Sequence, residues 1–267
     1  MKLRGALTLA KASFLEASAF RLYFLFTIIS NFFYMILIYF LWKAIFSSVE
    51  TVTINGMTFQ QTFIYLALAG CISTVMMTYA EWTISRDVRD GTIVMMLIKP
   101  MDYQAIVLSK HLGDIFTNFL IIFLPSFVVV WALAGDGLVV GINLVFFLIA
   151  FVFAAAINLI FDFMIGLFAF YTESVWGIST MKDVIVTLLA GAAIPLAFFP
   201  DGLRRIVEWL PFQAIYNLPL QILVNNSLRT TDFLIILAKQ LFWLVFLLGV
   251  SRLCFNKAKT AVTINGG

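Results

Sequence analysis

Charge is scarce in this 267-residue chain: Asp, Glu, Lys and Arg together make up 12% of it, while 63% is hydrophobic. An average soluble domain carries roughly twice that charged share, and a soluble core cannot absorb so much apolar surface. The single histidine, His111, excludes multi-histidine haem and zinc centres. Of the two cysteines, Cys71 lies inside an apolar run and Cys254 just past the last one. They are too far apart along the expected fold for a bridge and read as small buried hydrophobes. The chain has no Gly-Lys-Ser or Gly-Lys-Thr, so no phosphate-cradling loop of the P-loop type can be drawn from it. With no Gly-x-Ser-x-Gly turn and no metal-ligand motif, an intramembrane enzyme is also disfavoured. The net charge of +3 is scattered instead of gathered into a basic patch, which argues against a nucleic-acid partner.

What the chain does have is long runs that are apolar on every face, the mark of helices dissolved in lipid. About 20 residues at 1.5 Å each cross the ~30 Å of bilayer hydrocarbon. Runs at 22–42, 59–80, 112–134, 142–170, 184–199 and 233–253 are the expected spans, the fifth being the shortest. The fold class expected is all-α and polytopic. Lys2, Arg4, Lys11, Arg21, Arg86, Arg89, Lys99, Lys110, Lys182, Arg252, Lys257 and Lys259 fall on one side, against Lys43, Arg204, Arg205, Arg229 and Lys239 on the other. Basic residues are retained on the cytoplasmic side, so both termini are expected there. Residues 1–21 have the amphipathic spacing of a helix lying along the inner surface, or of a plain cytoplasmic extension of the first span. The apolar run after this basic start is too long for a signal-peptide core. No linker or internal repeat divides the chain, so residues 1–267 are expected to form one membrane domain.

Two segments break the pattern. The first, residues 81–111, reads as a cytoplasmic loop with its own grammar. Residues 81–90 can continue the second span as a charged helix that Gly91 ends and Thr92 re-caps, with Lys99 and Pro100 closing a short second helix. Ile93, Val94, Met96 and Leu97 give that second helix an apolar face suited to a groove on a partner. A plainer reading has it packing beneath the bundle or lying among headgroups. The second segment, residues 200–232, is interrupted by prolines and reads as a pair of short helices capping the extracellular mouth or dipping into the outer leaflet. Pro200, Trp209, Pro211 and Phe212 are its gate candidates; a plain interfacial loop anchored by Trp209 and Tyr216 is the other reading.

Polar groups inside spans are costly unless paired or wet, which makes them pathway candidates. Asn158 and Asp162 share a helical face, Asn118 shares one with Asp114, and Asn31 lies in the first span. Each of them also serves well as hydrogen-bonding glue between helices.

The run Arg86-Asp87-Val88-Arg89-Asp90-Gly91-Thr92, followed by an apolar stretch and Lys99-Pro100, resembles the cytoplasmic coupling segment of the ABC transporter type-2 permease family. Gly191-Ala192-Ala193-Ile194-Pro195-Leu196, Phe198-Phe199-Pro200, Leu210-Pro211-Phe212 and Leu41-Trp42-Lys43-Ala44-Ile45-Phe46 extend the similarity over nearly the whole chain. The resemblance implies six spans and a pathway made by two permease subunits, identical or homologous. It implies a separate ABC ATPase in two copies, which would hold ATP and Mg while this chain carries no cofactor or metal of its own. Arg86, Asp87, Arg89, Asp90, Gly91, Thr92, Ile93, Val94, Met96 and Leu97 then become the expected ATPase contact. The expected setting is a bacterial inner or plasma membrane, and the expected cargo an amphipathic or hydrophobic drug, lipid-like molecule or peptide moved outward. An ATPase-independent secondary transporter or channel is the alternative; it would favour intramembrane charge pairs and an inverted repeat.

Overall fold

The computed structural model describes residues 21–49, 52–134, 138, 141–225 and 227–261; the expected interfacial helix at 1–21 lies outside them but for its last residue. The described chain is predominantly helical. Its elements are α1 (Arg21–Val49), a hairpin of β1 (Thr53–Ile54) and β2 (Met57–Thr58), then α2 (Phe59–Met76), α3 (Ala80–Arg89), α4 (Thr92–Leu97) and α5 (Tyr103–Asn118). A π-helical turn (Phe119–Phe123) joins α5 to α6 (Leu124–Ala134). There follow α7 (Ile142–Gly166), α8 (Trp176–Leu189), α9 (Asp201–Val207), α10 (Asn217–Val224) and α11 (Thr230–Ala258).

Five helical stretches among the described residues are long and apolar enough to cross a bilayer: Leu22–Val49, Phe59–Arg89, Tyr103–Ala134, Ile142–Phe170 and Thr230–Ala258. The run at 184–199 is not a continuous helix. Its helix, α8, begins at Trp176 and stops at Leu189, because Gly191 turns the chain at φ +83; Pro195 and Pro200 then start a short 3₁₀ turn and a separate short helix, so no single helix runs through the segment. At 14 residues and 1.5 Å per residue, α8 is about 21 Å long, two thirds of a bilayer core.

Local chemistry explains the other departures from straight helices. Asn55 and Gly56 both take positive φ, which a two-residue hairpin requires. Thr58 then caps α2, its hydroxyl accepting from the Gln61 amide while the Gln61 side chain accepts from the Thr58 amide. Pro125 has no N–H and its ring would clash with the carbonyl four residues back; the π turn at Phe119–Phe123 widens the helix at that place. Between α2 and α3 the helix breaks at residues 77–79, with Tyr79 in the left-handed region at φ +54. The expected single charged extension of the second span is therefore a separate helix.

The core is centred on α7, against which α3, α5, α10 and α11 all pack. Ala150, Ala154 and Ala155 on α7 are fully buried, and such small residues let spanning helices approach closely. At Gly166 the approach to α3 is closer still, since an added Cβ would sit 2.5 Å from Ile84 Cδ1 and 3.2 Å from Glu81 Cα. Gln240 on α11 donates to the carbonyls of Ala150 (3.0 Å) and Ala214 (2.8 Å), and Gln104 on α5 donates to Ser251 on α11 (2.8 Å). These bonds tie the last span to the rest where water is absent. Cys71 and Cys254 are both free; Cys71 is buried as expected, whereas Cys254 is exposed on α11.

Candidate functional site

The break between α2 and α3 leaves carbonyls at the end of α2 without their intrahelical partners. Two asparagines from other helices supply replacements. Asn118 Nδ2, at the end of α5, donates to Val75 O (3.3 Å), and Asn158 Nδ2, on α7, donates to Met76 O (3.4 Å). Asn158 also donates to Asp162 Oδ2, one turn along the same helix (3.3 Å). Both asparagines act as glue at an interrupted span, and Asn158 in addition reaches a buried charge.

That charge does not stand alone. Lys182 Nζ, on α8, lies 2.6 Å from Asp162 Oδ1 and 2.6 Å from Asp183 Oδ1. On the third side, Glu81 at the start of α3 is only 3% exposed, and its Oε1 accepts from Ser179 Oγ on α8 (2.6 Å). Glu81 Oε2 is buried with no hydrogen-bond partner among the described residues. Glu81, Asn158, Asp162, Lys182, Asp183 and Tyr216 all line one small cavity of about 120 Å³ at the helix break. In such surroundings a charge persists by being paired, and among the described residues this cluster sets three carboxylates against one ammonium.

The neighbouring cavity is larger, about 750 Å³, and is bounded by α1, α2 and the end of α8. Asn31 lines it, accepting from Thr74 Oγ1 (3.3 Å) and donating to Thr27 O (3.1 Å). Ser73 and Thr187 line both cavities. Three of the four pathway candidates, Asn31, Asn158 and Asp162, thus border adjoining cavities. Asn118 borders neither of these two and serves the α2 break from the α5 side.

At the same end of the bundle as the break, α3 and α4 form a projecting elbow. Gly91, at φ +71, makes the turn and occupies the cap position of α4. Thr92 is therefore the first residue of that helix and not its cap, and its hydroxyl donates back to Asp87 Oδ1 (3.2 Å) and Asp87 O (3.3 Å). Asp87 Oδ2 accepts from Tyr103 Oη on α5 (2.8 Å). The apolar face divides: Ile93 is 2% exposed in the core, and Val94, Met96 and Leu97 lean on that core. The outward residues include Trp82, Arg86, Arg89, Asp90, Gly91, Thr92, Met95 and Ile98. Asp87 and Ile93 hold the elbow in place, and the exposed set is what it offers to its surroundings.

The family model described as ABC-2 family transporter protein matches residues 32–266. The chain belongs to the ABC-2 transporter family. No curated protein matches it. With its apolar helices, this ABC-2 protein is a multi-pass membrane protein and a membrane component of transport.

The gate candidates of this ABC-2 chain divide into two half-buried residues, Pro211 and Phe212, and two exposed ones, Pro200 and Trp209. Phe212 stacks on Phe161 of α7 (centroids 5.4 Å apart), and Pro211 opens a 3₁₀ turn beside it. Pro200 is exposed at the cap of α9, and Trp209 is 82% exposed. The cavity at this end, about 280 Å³, is lined instead by Tyr65, Arg204, Glu208, Asn217 and Gln221 among others. Helix α10 is buried along all but one of its residues, and the Asn217 amide donates to Ala190 O at the end of α8 (3.1 Å).

Glu81, Ser179, Lys182 and Asp183 are not among the site residues that the sequence points to. Glu81 reads as the start of a charged helix that continues the second span into the cytosol, and Lys182 falls just before the expected start of its span. The signal that would have found them is Lys182 and Asp183 standing together in an otherwise apolar helix, twenty residues after a lone intramembrane Asp162.

Proposed function

We propose that this chain is the permease subunit of an ATP-binding-cassette exporter, which works as a dimer, identical or heteromeric, and takes its energy from a separate ATPase in two copies. The observation that carries the reading is the α3–α4 elbow. Its base is bonded into the bundle through Asp87 and Ile93, while its exposed surface joins two arginines and an aspartate to two bare apolar side chains, Met95 and Ile98. Charged rims around apolar knobs suit a protein groove better than water. On this reading the elbow faces the cytoplasm, both termini lie on that side, and the membrane is a bacterial inner or plasma membrane. ATP and Mg are held by the partner, and Pro200, Trp209, Pro211 and Phe212 belong to the extracellular end, which α9 and α10 cap. The cargo is amphipathic or hydrophobic, and lipid surrounds the exposed apolar faces of α1 and α11.

The test is copurification of the native chain with an ATPase from its own membranes, repeated with Arg86→Glu/Arg89→Glu. The wild type should bring down an ATPase and show transport that depends on ATP. The double variant should lose the association or the transport. A variant that retains both removes the elbow from the mechanism.

The buried pair Asp162–Lys182 supports a second reading, since charge pairs within spans are a feature of gradient-driven transporters. That reading requires no ATPase, so an active chain purified with no such partner would favour it.

A further inference from the structure

Among the described residues, the cavity at the α2–α3 break is lined by more carboxyl groups than ammonium groups. Among the described residues Lys182 is its only ammonium, and two carboxylates, Asp162 and Asp183, share it at 2.6 Å each. Glu81 is left with a neutral hydroxyl from Ser179 on one oxygen and nothing on the other among the described residues. At 3% exposure, solvent does little to serve that oxygen. The volume, about 120 Å³, would take roughly four waters or one small cationic group, at ~30 Å³ per water. Two tyrosines, Tyr79 and Tyr216, also line it and offer ring faces or hydroxyls to a cation.

The adjoining cavity is its opposite in character. At about 750 Å³ it has the size of a pocket for a drug-sized body, and it draws its walls from side chains such as Phe26, Tyr34, Ala69 and Ala192. Because Ser73 and Thr187 border both spaces, a ligand with an apolar body in the larger one can put a polar head into the smaller.

We infer that the two cavities form one binding site for an amphipathic amine, its apolar body between α1, α2 and α8 and its ammonium against Glu81 and Asp162. The site names the substrate class of the proposed permease and rests on that reading only for the statement that the bound amine is exported. The chemistry is recognition of a primary ammonium on an apolar chain. Lys182 limits the site to one positive charge, and the narrowness of the inner cavity disfavours bulky quaternary heads.

The experiment measures binding of octylammonium, octanol and octanoate to the full chain in lipid nanodiscs, with empty nanodiscs as background. Octylammonium should bind at least about tenfold more tightly than octanol, the scale of one charge-assisted contact, and octanoate should not bind. Glu81→Gln should abolish the preference and Glu81→Asp should retain most of it. Lys182→Gln should strengthen octylammonium binding, a direction that misfolding would not produce. If Lys182→Gln fails to fold, the contrast between Glu81→Gln and Glu81→Asp decides. Equal affinity for the three probes, or an amine preference unchanged in Glu81→Gln, overturns the inference; so does infrared detection of a protonated Glu81 that octylammonium leaves unaltered. Copurification of an ATPase with a chain that shows no amine preference would leave the permease reading standing without this substrate class, and amine binding with no ATPase partner would do the reverse.

Discussion

Asp162 on α7 and Lys182 on α8 meet at 2.6 Å with both side chains nearly sealed from the surroundings. Twenty residues separate them in sequence, and the chain leaves the helix, turns and re-enters to bring them together. This contact joins a long span to the short helix that replaces the expected fifth one. Through Ser179 and Glu81, the same short helix is also fastened to the start of the elbow.

Breaking this pair from either side should not be symmetrical. Lys182→Met strands Asp162 in the interior and is expected to lower stability by about 3–5 kcal/mol, the usual cost of orphaning a buried charge. Asp162→Asn leaves Lys182 with Asp183, which is half exposed, and should cost less. The double variant Asp162→Asn/Lys182→Met should recover much of the loss. Thermal unfolding in detergent, with the three variants side by side, checks the order.

The asparagine at the helix break has a separate role. Asn158→Ala withdraws the donor that serves Met76 O and one contact to Asp162. An unserved buried acceptor costs about 1–3 kcal/mol. Faster hydrogen exchange confined to the last turn of α2 and the first of α3 is the expected signature. Uniform acceleration throughout the chain would instead mean that the bond matters to the whole bundle.

Gly166 fixes how closely α3 approaches α7. Gly166→Ala places a methyl 2.5 Å from Ile84 Cδ1 and 3.2 Å from the Glu81 backbone. The isoleucine tip can rotate away, but Ile84 Cβ at 2.9 Å and the Glu81 backbone cannot, so α3 must shift. Overpacking of this kind costs about 1–3 kcal/mol. Because Glu81 moves with it, the variant should lose stability and weaken the Glu81–Ser179 bond together. Pairing it with Ile84→Val, which returns space, should restore part of both, as read by unfolding temperature.

Within the elbow, Asp87 and the arginines should separate cleanly. Asp87→Ala removes the acceptor for Tyr103 and Thr92 and is expected to loosen the elbow, by about 1.5–3 kcal/mol for hydrogen bonds to a charged group. Tyr103→Phe should reproduce part of that effect. Arg86→Ala and Arg89→Ala, whose side chains are exposed, should leave stability within about 0.5 kcal/mol. Limited proteolysis at residues 89–92 should distinguish the two groups of variants.

The sequence by itself determined the solvent, the helical class and the positions of most spans, since a run of about 20 apolar residues has few other places to go. It also marked the elbow, because Gly91 is needed where φ is +71 and a charged helix followed by a short apolar one has no other simple reading. The coupling residues were visible as a set but not by role: only packing shows that Asp87 and Ile93 point inward while Met95 and Ile98 point out. Asp162 stood out as an isolated charge in a span, whereas its partner did not. Helix α8 begins before its most apolar run, so Lys182 counts as a flanking residue until the fold places it against α7. Glu81 was misjudged for the same reason, since a break at residues 77–79 turns what reads as a cytoplasmic extension into a buried corner. Apolar length is a local property that each segment carries in its own residues. The matching of a buried charge to its partner is set by where distant helices cross, and that is decided only when the bundle closes.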